Sequence, residues 1–194
     1  MVSIADVVYF VTSGPVWRRR LLTPVALGIV AGLLLLVVLG SLTTDSALGV
    51  ERLVPEALAI VIGMPLLVAG LALHGWCILL FKKTPGGGGI GVPFDPPRQL
   101  VVMGPYAWTR NPMVTAFFLW LTGLGFILNS TSMVFLWTPA FLAILVIELK
   151  VVEEPELERR FGVAYGEYKA KVPMFVPRRP APHGGGRGPA IGRG

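Results

Sequence analysis

Residues 86–112 read GGGGIGVPFDPPRQLVVMGPYAWTRNP. This stretch contains four consecutive glycines, five prolines, Asp95 and two arginines, Arg98 and Arg110, yet apolar segments lie on both sides of it. A lipid-facing helix cannot have this composition, because each Pro removes a backbone donor and each Gly weakens the helix. The stretch is therefore a polar loop. The apolar runs around it decide the fold.

Working outward from the loop, residues 57–81 carry no formal charge, and neither do residues 111–147 nor residues 21–44. About 20 apolar residues cross a bilayer, so residues 25–42 and 57–81 each supply one span. The run 111–147 is too long for one. Asn129, Ser130, Thr131 and Ser132 divide it into a helical hairpin, with halves at 112–128 and 133–147. The chain has 194 residues, 54% of them hydrophobic and only 14% charged, with a mean hydropathy of +0.70. These values exclude an ordinary soluble domain. The expected fold is an all-α integral membrane protein of about four transmembrane helices, including the hairpin in the C-terminal half, plus a cytoplasmic amphipathic C-terminal helix.

Charge fixes the expected orientation. Three bases, Arg18, Arg19 and Arg20, precede the first span. Four (Lys82, Lys83, Arg98 and Arg110) follow the second, and nine lie from Glu148 onward, whereas the connection between the first two spans has only Arg52. The positive-inside rule then places both termini in the cytoplasm, on the same side as the polar loop. The net charge of +6 is read as attraction to anionic membrane lipid rather than to nucleic acid.

Three segments follow. Residues 1–83 hold a short surface helix, with Ile4, Val7, Val8 and Val11 at helical spacing, and two spans. Residues 84–178 form the candidate catalytic half. Residues 179–194 are a Gly-, Pro- and Arg-rich tail with too little apolar content to fold. Within the second segment, Leu157, Phe161, Tyr165, Tyr168 and Val172 recur at steps of three or four and mark an amphipathic helix over residues 153–172. Pro155 is expected to begin that helix afresh after the fourth span, with Glu156 and Arg160 as a surface i,i+4 pair.

Several single residues admit two readings. His74 lies deep in the second apolar run. It is either a polar group facing the bundle interior or a neutral imidazole held by a neighbouring helix. Gly123 and Gly125 are more simply read as helix-contact residues than as a ligand-facing backbone. Cys77 is the lone cysteine, and with two histidines in the chain no His/Cys metal site is expected. There is no GxGxxG after a strand, no Walker A loop and no GxSxG.

Two blocks carry a resemblance. Gly104-Pro105-Tyr106-Ala107-Trp108-Thr109-Arg110-Asn111-Pro112 resembles the GPY-x-x-x-RHP signature of the isoprenylcysteine carboxyl methyltransferases and phospholipid methyltransferases. Glu153-Glu154-Pro155, followed by Phe161-Gly162, Tyr165, Tyr168 and Val172-Pro173, resembles the tail of the same family. The resemblance covers residues 86–177. It implies S-adenosylmethionine as cofactor and a lipophilic acceptor entering from the bilayer. Carried over position by position, it implies cofactor contacts from Arg98, Gln99, Leu100 and Val101, from Tyr106, from Asn111, Pro112, Met113 and Val114, and from Glu153. Asn111 stands where the family has His, and Val114 where it has Tyr.

An amine acceptor would need a base, for which Glu154 and Glu148 are the candidates; a carboxylate acceptor would need none. Two alternatives remain at this stage. One is a membrane reductase of related fold using NADPH. The other is a non-catalytic membrane protein with a degenerate cofactor site.

Overall fold

The computed structural model describes residues 16–84 and 99–177. The N-terminal surface helix expected over residues 1–13, the glycine run at 86–89, Arg98 and the basic tail lie outside the described residues.

Every regular element among the described residues is helical. Helix α1 spans Val16–Leu48 and α2 spans Glu56–Lys83. A 3₁₀ turn, Gly104–Ala107, precedes α3, Pro112–Ile127. A long helix then begins at Thr131. It comprises a π-helical turn at Met133–Trp137, α4 at Thr138–Glu148, a second π-helical turn at Leu149–Glu153 and α5 at Glu154–Phe161. Helix α6, Val163–Lys171, follows. Three helices are long and apolar enough to cross a membrane: Leu21–Leu48, Glu56–Lys83 and Met133–Phe161. Pro112–Ile127 is apolar but shorter. The chain is an all-helical, multi-pass membrane protein.

Helices α2 and α3 approach closely because glycines meet there. A Cβ on Gly63 would lie 2.7 Å from the Gly123 carbonyl oxygen, and one on Gly70 would lie 2.5 Å from the Trp120 nitrogen. Such contacts replace the hydrophobic effect as the force between helices in lipid. Helix α1 seats Gly40 against the Trp137 indole of the first π turn. Val37 of α1, Leu121 of α3, Met133 and Phe141 form the shared core.

The hairpin turn is clamped to the connection between α1 and α2. Asn129 adopts φ +52°, a conformation its short polar side chain tolerates. Its Nδ2 donates to the Val54 carbonyl at 2.8 Å, and its Oδ1 accepts from the Val54 amide at 3.2 Å. Asp45 accepts from the Ser130 hydroxyl at 2.5 Å and from the Ser132 amide at 3.0 Å. A carboxylate from α1 thus caps the long helix, satisfying donors left open at its N-terminus.

Two expectations are corrected. Pro155 does not start a separate helix. The preceding π turn lets the Glu154 amide donate to the Leu149 carbonyl, so the helix runs on through the proline. The amphipathic segment is not one helix either. Gly162, at φ +52°, divides it into α5 and α6.

Candidate active site

The 3₁₀ turn that opens the GPY block requires its glycine. Gly104 has φ +61°, a left-handed conformation that disfavours any side chain, and a Cβ there would also press on the Leu80 side chain, 2.9 Å from its Cδ1. Tyr106 follows, buried, its ring 5.3 Å from that of Phe81 and packed in one cluster with Cys77. Burial pushes the Tyr106 phenol far above its ordinary value, so it serves as a neutral group. Pro112 then begins α3 at a position where its missing N–H costs nothing.

The C-terminal segment folds back on this block. The Arg110 amide donates to the Pro173 carbonyl at 2.9 Å. The Thr109 hydroxyl and Asn111 Nδ2 both donate to the Met174 carbonyl, at 2.7 and 3.3 Å. The Tyr168 hydroxyl donates to the Tyr106 carbonyl at 2.7 Å. Burial raises the Tyr165 and Tyr168 phenols as well. Two sequence blocks separated by the whole hairpin are therefore joined by backbone and side-chain hydrogen bonds at one end of the helices.

Between them lies a cavity of about 870 Å³. Its polar end is lined by Gln99, Tyr106, Arg110, Asn111, Glu148, Glu153, Glu156, Tyr165 and Tyr168. Its other part is lined by apolar residues of α1, α2, α3 and α4, among them Leu34, Leu71, Phe117 and Leu145. Of the expected cofactor residues, Leu100, Val101, Met113 and Val114 also line it. Pro112 is fully buried and outside the lining.

The acidic residues divide by environment. The second π turn and α5 carry Glu148, Glu153 and Glu156 to the cavity wall. Glu153 is exposed, and that exposure is to the cavity it lines. Glu154 points elsewhere. Its carboxylate accepts from Arg110 Nη1 at 2.6 Å and from Lys169 Nζ at 2.9 Å, and it is not a lining residue. Its geometry is that of an anchor joining the loop to α6. Lys150 is exposed, and among the described residues no ion pair joins it to Glu148.

Glu156 corrects the sequence reading. It is 3% exposed, paired with Arg160 and facing the cavity. The signal was its spacing of four from Val152, visible only once the helix is read through Pro155.

The donor set suits a ligand bearing both charges. Arg110 Nε is buried without a partner, while the Tyr165 hydroxyl holds the same guanidinium. An unpaired guanidinium donor calls for an anionic oxygen, and Glu148 and Glu153 call for a cation. Among the described residues, no three or more His, Cys, Asp or Glu side chains are grouped so as to hold a metal ion.

The protein is thus a multi-pass helical protein whose cavity has a charged end and an apolar body. The chain belongs to the phospholipid methyltransferase family, whose model matches residues 58–164, more than half of its length. The protein is accordingly a membrane methyltransferase. The match includes α2, which the motif resemblance left aside, and ends before Tyr165, which the resemblance included. No curated protein and no solved structure shows a significant match to the chain.

Proposed function

We propose that this protein transfers a methyl group from S-adenosylmethionine to a lipid acceptor whose head reaches the polar end of the cavity. The observation that carries the reading is the meeting of the GPY–RNP block and the Glu153 helix on one cavity with an apolar body. When bound, the cofactor supplies an electrophilic methyl group on a sulfonium. The residues present fit its chemistry: Glu153 for its cationic groups, Arg110 of the cavity lining for its carboxylate, and the neutral Tyr106 with Gln99 for its remaining polar atoms. Arg98 belongs to the same proposal from its place in the sequence.

The protein's own contribution is orientation and exclusion of water. Leu100, Val101, Met113 and Val114 surround the polar end with apolar surface, which strengthens each charge interaction there. Asn111 is a positioning residue, since its Nδ2 is engaged by Met174. The acceptor amine of a phospholipid must shed a proton before it can attack. Glu148 is the carboxylate assigned to take that proton, because it lines the cavity and no partner engages it. Glu154 is not assigned this role, since two cations hold it.

The excess of Lys and Arg after α2 and beyond Glu148 favours a cytoplasmic placement of this end of the bundle, and with it of both termini. The test is radiolabelled methyl transfer into phosphatidylethanolamine by the purified protein, with Glu153→Ala as control. Transfer that survives this change would overturn the assignment of the cofactor site.

A further inference from the structure

The geometry points to His74 as the residue that selects the acceptor lipid, by donating a hydrogen bond from Nε2 to an ester carbonyl between the lipid head and its chains. This inference rests on the lipid-acceptor reading above and adds to it a specificity-determining contact. His74 lies on α2 three residues before Cys77, which packs in one cluster with Tyr106. At ~1.5 Å per residue the imidazole sits ~4.5 Å further into the bundle than that contact. There it lines the cavity together with Leu34, Leu71 and Phe117.

Packing fixes which nitrogen is available. The His74 ring stands edge-on to Phe117, with centroids 4.9 Å apart and planes at 88°. Nδ1 is buried without a hydrogen-bond partner. A buried N–H without a partner is rarer and more costly than a buried lone pair, so Nδ1 carries the lone pair and Nε2 the proton. Nε2, unlike Nδ1, is not among the buried unpartnered atoms, and its residue lines the cavity. A donor one turn below the polar end, surrounded by hydrocarbon, matches the depth of an ester carbonyl below a methyl-accepting headgroup. A purely hydrocarbon segment at this level would leave the N–H unsatisfied, which disfavours such an acceptor.

The full chain is purified in detergent with its histidines labelled with ¹⁵N. There are only two, so the embedded one is readily assigned. Dioctanoyl phosphatidylethanolamine and its diether analogue, which lacks the carbonyls, are titrated against it. The ester lipid should shift the Nε2 resonance, and the ether lipid should not. In turnover, His74→Phe keeps the aromatic contact with Phe117 and should raise the KM for the ester lipid about tenfold, the equivalent of one hydrogen bond of about 1.4 kcal/mol. S-adenosylhomocysteine affinity should be unchanged. His74→Gln, which retains a donor at similar reach, should recover most of the loss.

Equal response to ester and ether lipids, or an unchanged KM in His74→Phe, overturns the inference. The resonance arm needs no turnover. A wild-type protein that binds no S-adenosylhomocysteine would sink the proposed function, while the ester–ether difference would still decide the role of His74.

Discussion

The Tyr168 hydroxyl donates to the carbonyl of Tyr106 at 2.7 Å, closing a distance of 62 residues in the chain. This bond joins the last helix to the 3₁₀ turn whose ring packs on α2. Tyr168→Phe removes the donor and leaves a buried carbonyl without it, at a cost of about 1–2 kcal/mol. The expected result is a lower thermal midpoint in detergent together with weaker S-adenosylhomocysteine binding, because the loop and α6 lose their common fastening. Calorimetry on the same sample reads both. Loss of stability with unaltered binding would show that the loop holds its shape without α6.

Glu153 and Glu154 are neighbours in different environments, Glu153 on the cavity wall and Glu154 between Arg110 and Lys169. Glu153→Gln is expected to weaken S-adenosylhomocysteine binding at least about tenfold with little change in stability, since a charge-assisted contact is lost and no internal partner is orphaned. Glu154→Gln is expected to do the reverse. It leaves Arg110, 11% exposed, without its partner, a change that costs on the order of 3 kcal/mol for a buried pair. Binding and unfolding curves for the two variants should therefore move in different assays.

Glu148 is assigned to the acceptor, not the cofactor. For an amine acceptor, Glu148→Gln should lower kcat by about 10²-fold while S-adenosylhomocysteine affinity stays within experimental scatter. Rapid-quench turnover against equilibrium binding separates the two. A fall in cofactor affinity of the same size would move Glu148 into the cofactor site.

Lys169 gives a pH signature. Hydrogen bonds from its ammonium to Glu154 and Glu158 raise its pKa above the ordinary lysine value. A raised folded-state value means that its stabilisation is complete below the ordinary lysine range and disappears as pH rises through the raised value. Alkaline unfolding monitored by circular dichroism should therefore begin earlier than for Lys169→Met measured against its own neutral-pH stability. Parallel curves would mean that the pair contributes nothing.

The other end of the bundle should be separable from the chemistry. Asp45→Ala removes the carboxylate that receives Ser130 and the Ser132 amide. A lost helix cap costs about 1–2 kcal/mol. Thermal stability should fall while the KM for S-adenosylmethionine remains that of the parent protein. A raised KM would show that strain at the hairpin turn reaches the polar end.

The apolar runs and their interruptions could be read directly, because a bilayer demands long uncharged segments and Asn129 to Ser132 cannot belong to one. The grouping of the motif residues into one site comes instead from the family resemblance; the structure brings Gln99, Tyr106, Asn111 and Glu153 to one cavity. What sequence reasoning missed depends on backbone accommodation and long-range partners. Pro155 reads as a helix start, because the wide turn that absorbs it has no distinct residue signature. Glu156 reads as solvated for the same reason, since its face is assigned only after the helix is continued. The pairing of Asp45 with Ser130 spans 85 residues, and no local pattern announces it. Val114, where the family carries Tyr, lines the cavity.

The passage of the long helix through Pro155 has a mechanical consequence. Met133–Phe161 is a single rod of 29 residues, roughly 40 Å long at the rise of a helix. It is held by Asp45 at one end and carries Glu148, Glu153 and Glu156 at the other. A helix this long adjusts to a thinner or thicker bilayer by tilting. The Glu154 carboxylate on Arg110 and the Tyr168 hydroxyl on the Tyr106 carbonyl tie the far end to the GPY block. A tilt of the rod would therefore carry the GPY block with it, so the spacing across the polar end is kept while the whole end moves.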